Sequence, residues 1–109
     1  VINGSPRAKG NSDILCDEFI RGAEEAGHQV EKISLREKNI FPCKACYACF
    51  RPGSCVQKDD MAEILKKAEN ADVFLLASPT YFLTMSGQMK VMIDRLLPDG
   101  RIWEERKHM

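Results

Sequence analysis

Apolar and polar positions along the chain alternate in a way that divides it into three strand–helix pairs. Val1-Ile2 is the end of a short apolar strand. Asn3 to Asn11 carries Gly4, Pro6 and Gly10 and reads as a turn-rich loop. Asn11 or Ser12 is placed to N-cap the helix that follows, and Asp13 in its first turn suits the helix dipole. Ile14, Leu15, Phe19, Ile20 and Ala23 recur at helical spacing and are expected to form one apolar face. Gly27 is placed to stop this helix.

His28 to Leu35 reads as a second strand, with Val30, Ile33 and Leu35 apolar. Glu31 and Lys32 inside it suggest a sheet edge. Arg36 to Gln57 has no clear period, and loops of this length in compact domains are usually functional. Asp59 or Asp60 caps a second helix with Met61, Ile64, Leu65 and Ala68 inward. Val73-Phe74-Leu75-Leu76-Ala77 is a continuous apolar run, the pattern of a parallel strand buried on both faces. Pro79 to Gly87 is another loop. Ser86 caps a third helix with Met89, Met92, Ile93 and Leu96 inward, and Pro98-Asp99-Gly100 ends it. The order β-α-β-α-β-α predicts a parallel sheet with right-handed crossovers. A third strand buried on both faces needs a further neighbour, so residues 1–109 read as one domain incomplete at both ends, or as one whose edge a partner covers.

Composition excludes little and adds one signal. The 16 basic and 16 acidic residues cancel, which removes any bulk electrostatic reason to expect nucleic acid or a membrane as partner. No apolar run approaches the roughly 20 residues of a membrane-spanning helix. No secretory signal is visible, and a cytoplasmic location is expected. Four of the five cysteines crowd into Cys43, Cys46, Cys49 and Cys55. In that setting such crowding points to metal or cluster binding more than to disulfides.

Asn3 to Ser12 follows the first strand and precedes a helix. In open parallel sheets, ligands bind beyond the C-terminal strand ends. Free N–H groups and the positive end of the helix dipole make such a loop an anion site. Ser5 and Ser12 hydroxyls and the Asn11 amide add donors, and Arg7 can make a charge-assisted contact to phosphate. The glycine spacing matches neither a dinucleotide G-x-G-x-x-G loop nor a Walker A loop. An ordinary capped strand-to-helix loop is the other reading of these residues.

Asn3-Gly4-Ser5-Pro6-Arg7 followed by Gly10-Asn11-Ser12 resembles the phosphate loop of the NADPH-dependent FMN reductase and iron-sulfur flavoprotein families of the flavodoxin-like superfamily. The resemblance runs from Ile2 to Arg95. It includes Asp59-Asp60-Met61, Ser78-Pro79-Thr80-Tyr81-Phe82, and Met89-Lys90 with Asp94-Arg95. It implies a flavodoxin-like three-layer α/β sandwich, with sheet order 2-1-3 and later strands missing from this chain. It also implies FMN as cofactor, with Ser5, Arg7, Asn11 and Ser12 at the phosphate. Pro79, Thr80, Tyr81 and Phe82 would touch the flavin ring, with Tyr81 and Phe82 as its aromatic wall. Their alternative role is to cover the end of the sheet.

Cys43-x2-Cys46-x2-Cys49-x5-Cys55 is the sharpest single signal. Dense C-x2-C-x2-C spacing is a pattern of [4Fe–4S] ligation, whereas structural zinc more often uses two separated knuckles. The spacing resembles the compact cysteine motif of iron-sulfur flavoproteins, with the ligands falling on these four positions. Zinc, or free thiols, are the alternatives. Because the loop follows the second strand, it is expected at the same end of the sheet as the other two loops.

The reading is an FMN-dependent, NAD(P)H-linked oxidoreductase or electron-transfer flavoprotein with a [4Fe–4S] cluster. The alternatives are an NAD(P)H-dependent FMN or quinone reductase without a cluster, and a non-enzymatic carrier or zinc-stabilised module. No side chain is assigned as catalytic, because the flavin carries the chemistry. The resemblance implies a homodimer or homotetramer, and the expected partner is a redox protein or NAD(P)H. His28 and His108 read as solvated, Asp59 and Asp60 as helix caps, Met85, Met89 and Met92 as core, and Cys16 as a small buried residue. Asp94 and Arg95 read as structural, and Trp103 as an interface candidate.

Overall fold

A computed structural model of the chain describes residues 1–98. The expectations for Asp99, Gly100, Trp103 and His108 lie outside the described residues. The elements run β1 (Ile2–Asn3), α1 (Asn11–Glu25), β2 (Ile33–Ser34), α2 (Met61–Asn70), β3 (Leu76–Ala77) and α3 (Gly87–Asp94), with short 3-10 turns at Leu35–Glu37 and Ala48–Phe50. The described residues form two compact units, Val1–Lys38 with Val73–Lys90, and Asn39–Asp72 with residues 91–98.

The first unit holds the sheet. Its order is β2-β1-β3, all parallel, as the flavodoxin-like reading expected. Ile2 pairs with Ile33 and Leu76, and Asn3 with Ser34 and Ala77. The strands are two residues long, shorter than the apolar runs that predicted them. β2 excludes His28 to Lys32, and Leu35 already belongs to a 3-10 turn.

Two expectations are corrected in this unit. The run from Val73 to Ala77 is not buried on both faces. Val73, Phe74 and Leu76 are exposed, because β3 is a sheet edge with no further strand beside it among the described residues. The apolar face of α1 is also misplaced. Ile14, Leu15 and Phe19 are exposed, and the helix instead buries Asp13 and Cys16 while packing against β1 and β3. Positions 13, 16, 20 and 23 lie on one stripe at a period of 3.6. The hydrogen bonds made by the Asp13 side chain turn that stripe inward.

Helix ends follow local chemistry. Gly10 is the residue that precedes α1, and neither Asn11 nor Ser12 forms the cap expected of it. At the far end, Gly27 N–H donates to Glu24 O at 2.9 Å and His28 N–H to Ala23 O at 3.0 Å. This is a Schellman motif, and Gly27 tolerates its φ of +91° because it has no Cβ.

In the second unit α2 buries Met61, Ile64, Leu65 and Ala68, the face read from the sequence. Met92 and Leu96 are also buried. Met89 is buried in the first unit, whereas Met85 is exposed and does not join a core. Cys16 is buried as expected, and burial pushes its thiol pKa up.

Candidate functional site

The loop after β1 is held by the side chains of Asn3 and Asp13, the latter read from sequence only as a first-turn acid suited to the helix dipole. Asn3 and Asp13 are both buried, and Asn3 Nδ2 donates to Asp13 Oδ1 at 3.1 Å. Asn3 Oδ1 accepts the Ser5 N–H at 3.1 Å, and Asp13 Oδ2 accepts the Lys9 N–H at 3.0 Å. The latter bond fixes Lys9 at a φ of +57°, a left-handed conformation. Ser5 Oγ accepts the Arg7 N–H at 3.1 Å. The Lys32 ammonium closes on Asp13 Oδ1. Lys32 and then the Lys9 N–H hold the Asp13 carboxyl below the usual carboxylate range, against the opposing effect of burial.

This brace decides which groups remain for a ligand. The N–H groups of Ser5, Arg7 and Lys9 are taken by side chains, and Pro6 has none. The N–H groups of Asn11, Ser12 and Asp13 precede the first intrahelical bond, which is Ile14 N–H to Gly10 O at 3.1 Å. Arg7 and Asn11 are exposed, Ser12 is half-buried and Ser5 is buried.

The loop after β3 is stitched to the loop after β1. Ser86 Oγ donates to Gly4 O at 2.6 Å and accepts the Met89 N–H at 3.2 Å, so it caps α3 as expected and also ties the two loops. Ser86 N–H in turn donates to Ser78 Oγ at 2.8 Å. The approach leaves no room at Gly4, where a Cβ would stand 2.9 Å from Met89 Cε and 3.1 Å from Ser86 Oγ. Beyond Pro79 the chain turns tightly, with Tyr81 and Thr84 exchanging backbone bonds of 2.7 and 3.1 Å. Phe82 and Leu83 at the tip have φ of +44° and +70° and are 97% and 92% exposed. Non-glycine residues in this region carry roughly 1–2 kcal/mol of strain each. The turn therefore holds two apolar side chains in water at a cost, beside a loop rich in amide donors.

The donor set fits FMN. Unengaged amides at a helix N-terminus suit a phosphate, and exposed Tyr81 and Phe82 suit a planar ring.

The cysteine loop belongs to the second unit. Cys43, Cys46, Cys49 and Cys55 line one cavity, together with Asp94 and Arg95. Cys43 and Cys46 are exposed, and Cys49 and Cys55 half-buried. Cys43 Sγ accepts the Ala45 N–H, and Cys55 Sγ accepts the Gln57 N–H, each at 3.4 Å. Burial pushes the Cys49 thiol up, and the neighbouring Cys55, Cys46 and Cys43 add to it. Among the described residues no three His, Cys, Asp or Glu side chains are gathered closely enough to hold a metal ion. The chemistry of the donor set nevertheless fits a cluster: four thiols on one cavity, with N–H groups already directed at two sulfurs.

The root of this loop is clasped by residues read from sequence as caps and structural contacts. Asn39 N–H donates to Asp60 Oδ2 at 2.6 Å, and Asp60 N–H to Asn39 O at 3.0 Å. Asp59 accepts the Phe41 N–H at 2.9 Å and the Met61 N–H at 3.0 Å, so it engages the first N–H of α2, while Asp60, the residue at the N-cap position, makes no side-chain cap bond. Arg95, only 2% exposed, forks onto both Asp59 oxygens at 2.8 and 3.1 Å and donates to Phe41 O at 2.7 Å. Burial alone would push the Asp59 carboxyl up, but its bonds from Arg95, Phe41 and Met61 outweigh that and lower it. Burial likewise opposes the Arg95 charge, while Asp59 and then the Cys55 thiolate more than restore it.

The family is settled by comparison with known proteins. Residues 1–108 match the NADPH-dependent FMN reductase family, and the chain belongs to it. Among its relatives, an iron-sulfur flavoprotein of Archaeoglobus fulgidus is 43% identical over 99 residues, covering 91% of this chain and 45% of that protein. The iron-sulfur flavoprotein MJ1083 of Methanocaldococcus jannaschii is 43% identical over 97 residues, covering 89% and 50%. A protein of Bacillus subtilis named as an NAD(P)H-dependent FMN-containing oxidoreductase, YwqN, is 30% identical over 95 residues, covering 87% and 49%. The chain thus spans about half the length of these relatives. No solved structure matches it. No described helix is long and apolar enough to cross a membrane.

Proposed function

We propose that this chain supplies the FMN-binding part of an NAD(P)H-linked oxidoreductase that exchanges electrons with a [4Fe–4S] cluster on Cys43, Cys46, Cys49 and Cys55. The observation that carries the FMN reading is the bond from Ser86 to Gly4, which joins the loop after β1 to the loop after β3 at one end of a parallel sheet. Arg7, Asn11, Ser12 and the first amides of α1 receive the phosphate. Ser5, buried and bonded to Arg7, shapes that loop. Pro79, Thr80, Tyr81 and Phe82 meet the ring. When bound, FMN supplies the ability to take a hydride as a pair and release electrons singly. The protein's part is to orient the ring and hold the phosphate, and no side chain is required as an acid or base.

The cluster reading draws support from the four thiols on one cavity and from the names of the archaeal relatives. A second reading is an FMN reductase whose cysteines are idle. It draws support from thiols that are not gathered to metal-binding distance and from the Bacillus relative's name. An absorption spectrum of anaerobically purified protein, with iron and acid-labile sulfide counted on the same sample, separates the two. Flavin with stoichiometric iron and sulfide is the expected result. Flavin without iron moves the protein to the second reading, and folded protein with neither overturns both.

A further inference from the structure

Arg95 carries more N–H donors than its partners use. Nη1 and Nη2 are committed to Asp59 and Phe41 O, while the Nε–H is buried with no hydrogen-bond partner. A buried donor without an acceptor is costly and is rare in native proteins. The same side chain lines the cavity that holds all four loop cysteines. The four cysteine sulfurs are acceptors on this cavity, beside the side chains of Asp94, Gln57 and Tyr47.

Arg95 also governs the entrance to the loop. Phe41 stands two residues before Cys43, and its N–H and C=O are both held, by Asp59 and Arg95 respectively. Asp59 stands four residues after Cys55. One buried ion pair therefore joins the two limbs from which the cysteines are suspended.

We propose that Arg95 is a positioning residue for the cysteine-held cluster, clasping the loop through Asp59 and reserving its Nε–H for a sulfur of the thiol set. This rests on the cluster reading above. A buried cation beside four thiolates favours the state with more negative charge, so it raises the reduction potential. Asp59 opposes that effect, and the two residues carry opposite signs of influence at nearly the same place.

The test loads the full chain anaerobically with iron and sulfide, counts both, and titrates the cluster with dithionite in the presence of mediators. Arg95→Gln is expected to disfavour reduction about tenfold, which is 59 mV for a one-electron couple. Arg95→Lys, which keeps the charge, should stay closer to wild type. Asp59→Asn should shift the potential upward. If Arg95→Gln does not fold by circular dichroism, Asp59→Asn decides alone, and a potential that fails to rise overturns the proposal. Loaded variants with wild-type potentials overturn it while leaving the cluster reading intact. A wild-type chain that takes up no iron overturns the cluster reading and this proposal together.

Discussion

Ser86 Oγ donates a 2.6 Å hydrogen bond to the carbonyl of Gly4, joining residues 82 positions apart. The same oxygen caps α3 by accepting the Met89 N–H. One hydroxyl thus fixes the start of a helix and the spacing of the two loops proposed to hold FMN. Ser86→Ala leaves a buried carbonyl and an N–H without a side-chain partner, at roughly 1–3 kcal/mol. Denaturant unfolding should show that loss. FMN affinity should fall by about tenfold, the equivalent of ~1.4 kcal/mol, if the loops part. Unchanged flavin quenching titrations would mean the loops keep their spacing without this bond.

Gly4 is constrained by space. A Cβ there would lie 3.0 Å from Met89 Cβ, an atom close to the backbone that cannot swing aside. Gly4→Ala should cost about 1–3 kcal/mol, the range for overpacking a filled site. The measurement is the shift in denaturation midpoint, with Gly22→Ala as control because a Cβ at Gly22 meets nothing within 4 Å.

Asp13 gives the first unit a definite response to acid. Its folded carboxyl lies below its ordinary value, chiefly through Lys32. A group lowered in this way contributes stability that is complete above its unfolded pKa, about 3.9, and is lost as pH falls through the lower folded value. Stability should therefore fall below about pH 4. Asp13→Asn should lower stability at neutral pH and flatten the acid limb. Equilibrium unfolding at pH 7, 4 and 3 tests it, and an acid limb of unchanged steepness would assign the effect to other carboxylates. Because Asp13 also holds the Lys9 N–H, the same variant should weaken FMN more than riboflavin, which lacks the phosphate.

Phe82 separates folding from binding. It is 97% exposed at a φ of +44°, so its ring contributes little to the fold and its backbone prefers glycine. Phe82→Gly should leave stability unchanged or higher, within roughly 1 kcal/mol. FMN affinity should drop as the aromatic wall is lost. Thermal melts without FMN, paired with flavin titrations, read the two effects apart, and an unaltered affinity would remove Phe82 from the site.

What the sequence determined by itself is what short-range chemistry controls. The inner face of α2 follows from the spacing of Met61, Ile64, Leu65 and Ala68, and Gly27 ends α1 because the αL position needs no Cβ. The strand order was legible because parallel connections leave few topologies. The spacing of the four cysteines marked their loop before any coordinates did. Tertiary structure decided the rest. Periodicity pointed Ile14, Leu15 and Phe19 inward, but Asp13 gains three partners by turning in, and that rotates the helix. Asp59 looked like a cap and Arg95 like the end of a helix, since neither reveals a partner 36 residues away. A local pattern records which side of an element is apolar. It does not record which buried polar group will find its hydrogen bonds across the fold, and in this chain those bonds shape both candidate sites.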